Sequence, residues 1–507
     1  MTSQKDPAII SGGMGIWISC WVLARIVALL GGMGIVSGTA LDVVYARILQ
    51  QGDPGGHVRR AFAELIRRVP ALKLPLESLI KSYFIENGKP VGAQYKATPG
   101  GKLRRIPGAG GTVSLWEPGA EFQLLTLAAN FAEVWLAKEG HNGRVGINYL
   151  RKVERPLPWA LYGAVLAGVD YVAMGAGSPS EIPGIIDKLS RHEDAALPLR
   201  VYGTDSASGE FAVCVRPRTL GAAASAPALP KPRFLAIVSS FALAEALASN
   251  PHSRPYGFII EGSVAGGHNA PPSRKAFDKQ GEPVVIYTEA DRIDVPAIAG
   301  LGLPFWMAGA YGSPGRLKEA LALGATGIQF GTAAALSGQS GLAPELRIQA
   351  LKMISRSELA IKTDPRTSPS GFPFKVAQIP GTLSDASVYS ARKRICDIGF
   401  LQSAYLEDGD LHFRCPAENE EEYVRKGGKT PHTKGRVCLC NGLLATAGFA
   451  QTWANGYKEP PIVTLGDDLS AVLQLMKDLP PGHKTYSIGK AFKFIAAAMD
   501  AQKNRPV

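Results

Sequence analysis

Eight short aliphatic runs recur along the first two-thirds of this chain, and helical patterns lie between most of them. The runs are Ala8–Ile10, Gly34–Ser37, Val145–Asn148, Tyr171–Met174, Leu235–Ser239, Phe258–Glu261, Pro304–Ala308 and Gly327–Phe330. The helical patterns are Cys20–Leu30, Phe122–Ala137, Trp159–Ala167, Ile182–Leu189, Ala242–Ala248 and Arg316–Leu323. Such alternation signals βαβ units and a parallel sheet. Eight units in a row fit an α/β fold of the closed (β/α)8, or TIM barrel, kind. A doubly wound open sheet uses the same alternation, because strand order is not legible in sequence. Two stretches, Ala164–Val172 and Ala320–Ile328, read as helix, glycine stop and buried strand. Glycine just past a helix takes the left-handed conformation that ends it.

A barrel of this kind occupies about 250 residues or more. The spacing predicts one over residues 1–340, with insertions at about 52–119 and 197–232, and an appended region over 341–507. Residues 52–119 are rich in charge, Pro and Gly and follow the second strand. Loops after barrel strands carry binding surfaces, so this insertion is expected to form a lid, with a plain surface elaboration as the alternative. The second insertion reads as a hairpin, Leu199–Tyr202 with Phe211–Val215, and then the linker Gly221–Pro230.

Net charge is +12, but the basic residues are scattered in short runs such as Lys102–Arg105 and Arg392–Arg394. A solvated basic surface comes first and attraction of anionic substrates second. No nucleic-acid-binding motif and no aromatic–basic platform is present, which argues against a nucleic-acid partner. The apolar stretch from Ile16 to Val36 carries Arg25 and the Gly31-Gly32 pair, which would break a membrane-spanning helix; it reads as a buried helix and then a strand. The N-terminus lacks a charged segment followed by a clean apolar one, and the expectation is a cytoplasmic protein with no membrane partner. Six cysteines without a secretory signal argue against a disulfide framework.

Chemistry concentrates in the glycine-bearing strand ends. Glu261-Gly-Ser-Val-Ala-Gly-Gly-His-Asn269 follows the run Tyr256–Ile260. Glycines let backbone approach a flat or charged group closely, and histidine suits proton transfer near neutrality. A histidine after two glycines can equally close a turn. Met307–Pro314 and Gln329–Thr332 close two later strands, and Ser313-Pro314 fits the N-cap and first position of a helix. Strand, glycine turn and helix N-terminus together make an anion site, and in barrels the loops after strands seven and eight hold cofactor phosphates. Ser11–Ile16 follows the first strand; its Met14 offers a soft surface to a planar ring, or packs in the core.

Three of these segments resemble the nitronate monooxygenase family (formerly 2-nitropropane dioxygenases), which are FMN-dependent (β/α)8 barrels. They are Gly12–Gly15 with Gly31–Gly34, Glu261–His268 and Ala308–Thr332, and the likeness covers roughly residues 8–50 and 140–335. Ala265-Gly-Gly-His268 is its most specific piece. The resemblance implies His268 as catalytic base beside the flavin. It implies FMN-phosphate contacts at Gly309, Ala310, Gly331 and Thr332, Met14 and Asn148 near the cofactor ring, and further cofactor-binding positions at Gly13, Gly266 and Gly267. Ala310 stands where a second glycine is usual, and a phosphate contact there calls for a negative φ. The same barrel and Gly-Gly-His also resemble FMN-dependent enoyl-acyl-carrier-protein reductases, including those that serve polyketide and polyunsaturated fatty acid synthases. The whole chain is similar to a longer branch of the nitronate monooxygenase-like proteins, with a cysteine-bearing tail.

In that tail, Cys396, Cys415, Cys438 and Cys440 supply four thiols, enough for zinc or an iron–sulfur cluster, although the spacing is not a standard one. Four ordinary reduced cysteines are the alternative. His57 lies on the expected lid, where it meets an anionic substrate beside Arg59 or Arg60, or is simply solvated. His141, His192 and His252 follow helical segments as caps, and Asp467-Asp468 starts a helix. The expected activity is oxidation of nitroalkanes or alkyl nitronates with dioxygen. His268 removes the α-proton of a neutral nitroalkane, and a protonated His268 offsets the charge of a nitronate. Reduction of an enoyl thioester by NAD(P)H, with an acyl carrier protein as partner, is the alternative. A catalytically inert flavin-binding scaffold is a third reading. Monomer and homodimer are both open.

Overall fold

The computed structural model describes residues 5–107, 113–202, 211–220, 226–477, 479–480 and 482–503. Eight parallel strands close into a barrel: β1 (Ile9–Ser11), β2 (Met33–Ser37), β3 (Arg144–Leu150), β4 (Tyr171–Gly175), β5 (Arg233–Val238), β6 (Gly257–Glu261), β7 (Phe305–Ala308) and β8 (Gly327–Phe330). Each strand neighbours the next, and β8 returns to β1 with Ile9 opposite Ile328. All eight expected runs are barrel strands, so the closed barrel holds and the open sheet does not.

Alternation along the strands explains the closure. Inward-pointing Ile10, Met33, Ile35, Tyr171, Ala173, Leu235, Ile259 and Trp306 fill the barrel interior as one apolar cluster. The indole of Trp306 donates to the Pro7 carbonyl at 2.8 Å, so its one polar atom is satisfied at the barrel floor. Outward-pointing residues pack on helices. The helix Trp21–Leu29 buries Leu23, Ala24, Val27 and Ala28 on β2, where a Cβ on Gly34 would stand 1.9 Å from the Ala24 carbonyl oxygen. The apolar stretch from Ile16 to Val36 is thus a buried helix and strand. Among the described residues no helix is long and apolar enough to cross a membrane.

The two excursions from the repeat settle differently. Helices His57–Arg68 and Lys73–Tyr83 bury Phe62, Leu65, Leu76 and Leu79 in the outer layer around the long helix Ala120–Lys138. In the second insertion Phe211–Val215 pairs antiparallel with Ala195–Pro198; of the expected strand Leu199–Tyr202, the Leu199 amide reaches it, donating to the Phe211 carbonyl at 2.8 Å. Ala195 and Leu197 alternate inward and bury, which fixes that register. Val201–Tyr202 instead pairs with Ser403–Glu407. Residues 221–225 of the expected linker lie outside the described residues.

The ring of helices is completed from beyond residue 340. Helix Ile488–Lys503 packs on Trp21–Leu29 and on Pro314–Ala322, the place of an eighth barrel helix. Phe492 closes over Gly32, the Tyr486 hydroxyl donates to the Ala333 carbonyl at 2.9 Å, and the Ile488 amide donates to Gln339 Oε1 at 2.8 Å. Residues 336–487 are therefore a long excursion between the end of the barrel sheet and its last helix.

Candidate active site

A cavity of about 840 Å³ opens at the C-terminal ends of the strands. Barrel sites form there because every strand delivers a loop to the same rim. Gly13, Met14, Asn148, Gly266, Gly267, His268, Gly309, Ala310, Gly331 and Thr332 all line this one cavity. Residues far apart in sequence are thus brought together by barrel closure.

At one end, β7 runs into Gly309 and Ala310, whose φ values are +81° and +59°. The left-handed region costs an alanine about 1–2 kcal/mol, so the negative φ expected of Ala310 is not met. Past this turn, Ser313 Oγ caps helix Pro314–Ala322 by accepting from the Arg316 amide at 3.4 Å. Among the described residues, the N–H groups of Ala310, Tyr311 and Gly312 donate to no protein acceptor. Unpaired amides in the turn that leads into a helix N-terminus suit an anion. Gly331 lies beside Met14, whose sulfur is 3.8 Å from where a Cβ would be, so the first and last strand ends share a wall. Asn148 Nδ2 donates to the Gly13 carbonyl at 3.0 Å, while its buried Oδ1 has no protein partner. A buried unsatisfied acceptor costs about 1–3 kcal/mol, which a donor on a bound group would relieve.

His268 is held by the residues that follow the barrel sheet. Gly267 has φ +84°, turning the chain so that His268 pairs as an isolated antiparallel bridge with Phe374. The Gly267 amide donates to Thr464 Oγ1 at 2.7 Å, its carbonyl accepts from the Lys375 amide at 2.9 Å, and the Asn269 amide donates to the Pro373 carbonyl at 2.9 Å. The Phe374 ring meets the imidazole edge-on, centroids 4.8 Å apart. A Cβ on Gly266 would stand 2.9 Å from the carbonyl carbon of Leu465, so this glycine admits a neighbouring backbone.

His268 Nε2 lies 2.7 Å from Ser368 Oγ. Ser368 Oγ is 2.7 Å from Ser370 Oγ, and Lys152 Nζ donates to Ser370 Oγ at 3.2 Å. Loss of hydration, reinforced by the positive charge of Lys152, holds the His268 pKa well below its ordinary value. The imidazole is neutral at neutral pH. Burial brings Lys152 down to about 7. The carboxyl of Glu261, at the end of β6 on the cavity wall, is pushed up to about 7 by the same desolvation.

Several participants were missed in the sequence. Lys152 follows the end of β3, a position that points to a barrel rim, yet it stands beside Arg151 with nothing local to single it out. Ser368, Ser370 and Phe374 belong to a run of turn residues, Thr363–Pro373, and Thr464 to a loop; only tertiary contacts bring them to His268.

Other expectations are corrected. Among the described residues none between 52 and 119 lines the cavity, so that insertion does not cover it. The cover comes from residues 262–294 and from 372–374 and 464–472. His57 begins an outer helix against the Trp21 ring, 5.1 Å between centroids, while Arg59 pairs with Asp53 and Arg60 with Glu139. Among the described residues no group of three or more His, Cys, Asp or Glu side chains is arranged to hold a metal ion, so zinc or iron–sulfur at Cys396, Cys415, Cys438 and Cys440 lacks support. All four are free thiols, and the neighbouring Cys440 holds the Cys438 pKa below its ordinary value. His141 caps its helix through Ala137, and Asp468 accepts from the Ser470 amide at a helix start.

No protein-family model and no curated protein matches the chain. Among solved structures it is similar to FabK from Thermotoga maritima, at 13% identity and TM-score 0.46, covering 98% of this chain and 94% of that one. It is similar to nitroalkane oxidase from Streptomyces ansochromogenes, at 13% identity and TM-score 0.43, covering 98% and 96%. A third is the enoyl reductase domain of MlnA from the macrolactin biosynthesis cluster of Bacillus amyloliquefaciens, at 11% identity and TM-score 0.46, covering 98% and 95%. The barrel assignment rests on the strand order of the chain itself.

Proposed function

We propose that this chain is an FMN-dependent oxidoreductase that oxidises nitroalkanes or alkyl nitronates with dioxygen, with His268 as the catalytic base. One observation carries this reading. A neutral imidazole, engaged at Nε2 by Ser368, lines the same cavity as the unpaired amides of Ala310–Gly312. Its Nδ1 makes no protein hydrogen bond among the described residues, leaving that nitrogen for a substrate proton.

The lining fits FMN. Amides of Tyr311 and Gly312, with Gly309, Gly331 and Thr332, would hold the phosphate; Gly13, Met14 and Asn148 would meet the ring, whose N–H groups suit the orphaned Asn148 Oδ1. When bound, FMN supplies the electron-accepting chemistry, which dioxygen completes. The chain's own part is the proton: His268 takes it from the α-carbon of a neutral nitroalkane. For a preformed nitronate, the expectation of a protonated His268 fails because desolvation keeps the ring neutral; Lys152 is the nearby cation that offsets the charge.

His268→Ala should retain flavin and lose turnover of neutral nitroalkane by about 10²- to 10⁴-fold, the range for a general base. Unchanged turnover would remove the base assignment, and a colourless purified protein would remove the flavin.

A second reading, reduction of an enoyl thioester by NAD(P)H delivered on an acyl carrier protein, draws on cavity size. About 840 Å³ is near the top of the roughly 300–1,000 Å³ range of ligand pockets, which suits a substrate larger than a nitroalkane beside the cofactor. Anaerobic mixing separates the two: bleaching of the flavin by nitronate favours oxidation, and bleaching by NADH or NADPH favours the reductase. A yellow protein bleached by neither would point to an inert flavin-binding scaffold.

A further inference from the structure

The hydroxyl chain between Lys152 and His268 has more order than a packing contact requires. Three hydrogen bonds run without a gap: Lys152 Nζ to Ser370 Oγ at 3.2 Å, Ser370 Oγ to Ser368 Oγ at 2.7 Å, and Ser368 Oγ to His268 Nε2 at 2.7 Å. Each serine hydroxyl has one proton, so the chain has two self-consistent directions. We infer that Lys152 sets the tautomer of His268 through Ser370 and Ser368, so that the ammonium form makes His268 Nδ1 a proton donor and the amine form makes it an acceptor. This deepens the reading of His268 as the proton-transfer residue and rests on that reading for its catalytic meaning.

Protons balance in both directions. With Lys152 as ammonium, it donates to Ser370, Ser370 to Ser368, and Ser368 to Nε2, which leaves the imidazole proton on Nδ1. If Nδ1 gives that proton to a substrate, Nε2 takes the Ser368 proton, Ser368 takes that of Ser370, and Ser370 takes one from Lys152. One N–H bond of the ammonium is lost, one bond to hydrogen forms on the substrate, and Lys152 is left as the amine. In the reverse direction Nδ1 accepts a substrate proton, and Nε2–H sends one along the same path to the amine.

The surroundings let Lys152 occupy either state. Among the described residues no carboxylate pairs with it, and the Phe372 ring lies 4.6 Å from its Nζ. On its own loop Arg151 pairs with Glu154 and Glu181. Across the cavity wall the charged groups flanking the serine segment are Asp364, Arg366 and Arg436. Arg366 pairs with Glu282, and Arg436 donates to the carbonyls of Arg366 and Ser368, fixing the segment's backbone. Burial brings Lys152 to about 7, where both forms are populated near neutrality.

The test is nitrogen NMR of the full-length protein, as purified, labelled with ¹⁵N-histidine, with the His268 signals assigned by their loss in His268→Asn. The wild type should pass from the Nδ1–H to the Nε2–H tautomer as pH rises through about 7. Lys152→Met and Ser370→Ala should each abolish that passage; Ser370→Ala removes one hydroxyl and keeps the charge, so it separates the wire from plain electrostatics. A wild-type tautomer that does not change over this pH range, or a Ser370→Ala variant that switches like the wild type, would overturn the inference. The readout needs neither flavin nor substrate. Failure to bind FMN would therefore sink the proposed activity and leave the relay standing, and the converse holds as well.

Discussion

Two of the excursions from the barrel do opposite things. Residues 52–119, inserted after β2, look from sequence like a cover for the cavity, yet their helices settle in the outer layer. The reason is amphipathicity: Val58, Ala61, Phe62 and Leu65 form an apolar stripe that must be buried, and helix Ala120–Lys138 offers the face. The stretch 336–487, which has little obvious pattern, does come back over the strand ends. It does so through backbone and hydroxyl contacts, with Thr464 on Gly267, Lys375 on Gly267 and Gly466 on Thr332. An insertion with its own apolar stripe is drawn to the outside of the barrel; one rich in turns and hydroxyls can satisfy the polar rim.

This contrast can be broken by mutation. Phe62→Ala empties a fully buried site in the first excursion and should cost about 3–5 kcal/mol in denaturant unfolding, with turnover per folded molecule unchanged. Altered substrate kinetics in that variant would return the insertion to the active site. Gly266→Ala should cost about 1–3 kcal/mol by forcing a Cβ to 2.9 Å from the Leu465 backbone, and should also weaken flavin retention. Full flavin occupancy would show that the clamp does not shape the cavity.

Smaller effects come from single polar groups. Thr464→Ala removes the acceptor of the Gly267 amide and should cost about 1 kcal/mol, measured as a lower Tm, with reduced His268-dependent turnover. Two pH effects follow with opposite signs. Burial lowers Lys152 from 10.5 to about 7, so stability is greatest above 10.5 and is lost as pH falls through about 7. Lys152→Met should thus melt higher than wild type below that pH while losing proton transfer; a lower Tm there would show that the Ser370 and Phe372 contacts outweigh the cost of burying the cation. Burial raises Glu261 from 4.5 to about 7, so its contribution is full below 4.5 and is lost as pH rises through about 7. Glu261→Gln should therefore gain on the wild type as pH rises from 4.5 to about 7 and keep that gain above it, and equal pH slopes for the two proteins would count against a desolvated carboxyl.

Much of the barrel was legible because its signal is local. Runs such as Phe258–Glu261 and Gly327–Phe330 are strands in their own right, and Gly168 and Gly324 stop helices with φ +79° and +83° wherever the rest of the chain goes. The glycine and histidine positions at the strand ends were legible for the same reason, since closing a parallel barrel carries every strand end to one rim. The pairing of Phe211–Val215 is not legible in sequence, because Ala195 and Leu197 reveal their inward alternation only once a partner face exists. Lys152, Ser368 and Ser370 left no local trace, being unremarkable residues in loops.

The sequence by itself determined the eight strands, most of the helices between them and the glycine-bearing strand ends, because hydrophobic period and glycine stops act over a few neighbours. Only the tertiary structure decided which excursion roofs that cavity, which helix completes the ring, and what His268 touches. Those outcomes depend on contacts between residues about a hundred or more apart, such as Ser368 with His268 and Thr464 with Gly267, where the free energy lies in satisfying buried polar groups that no local pattern encodes.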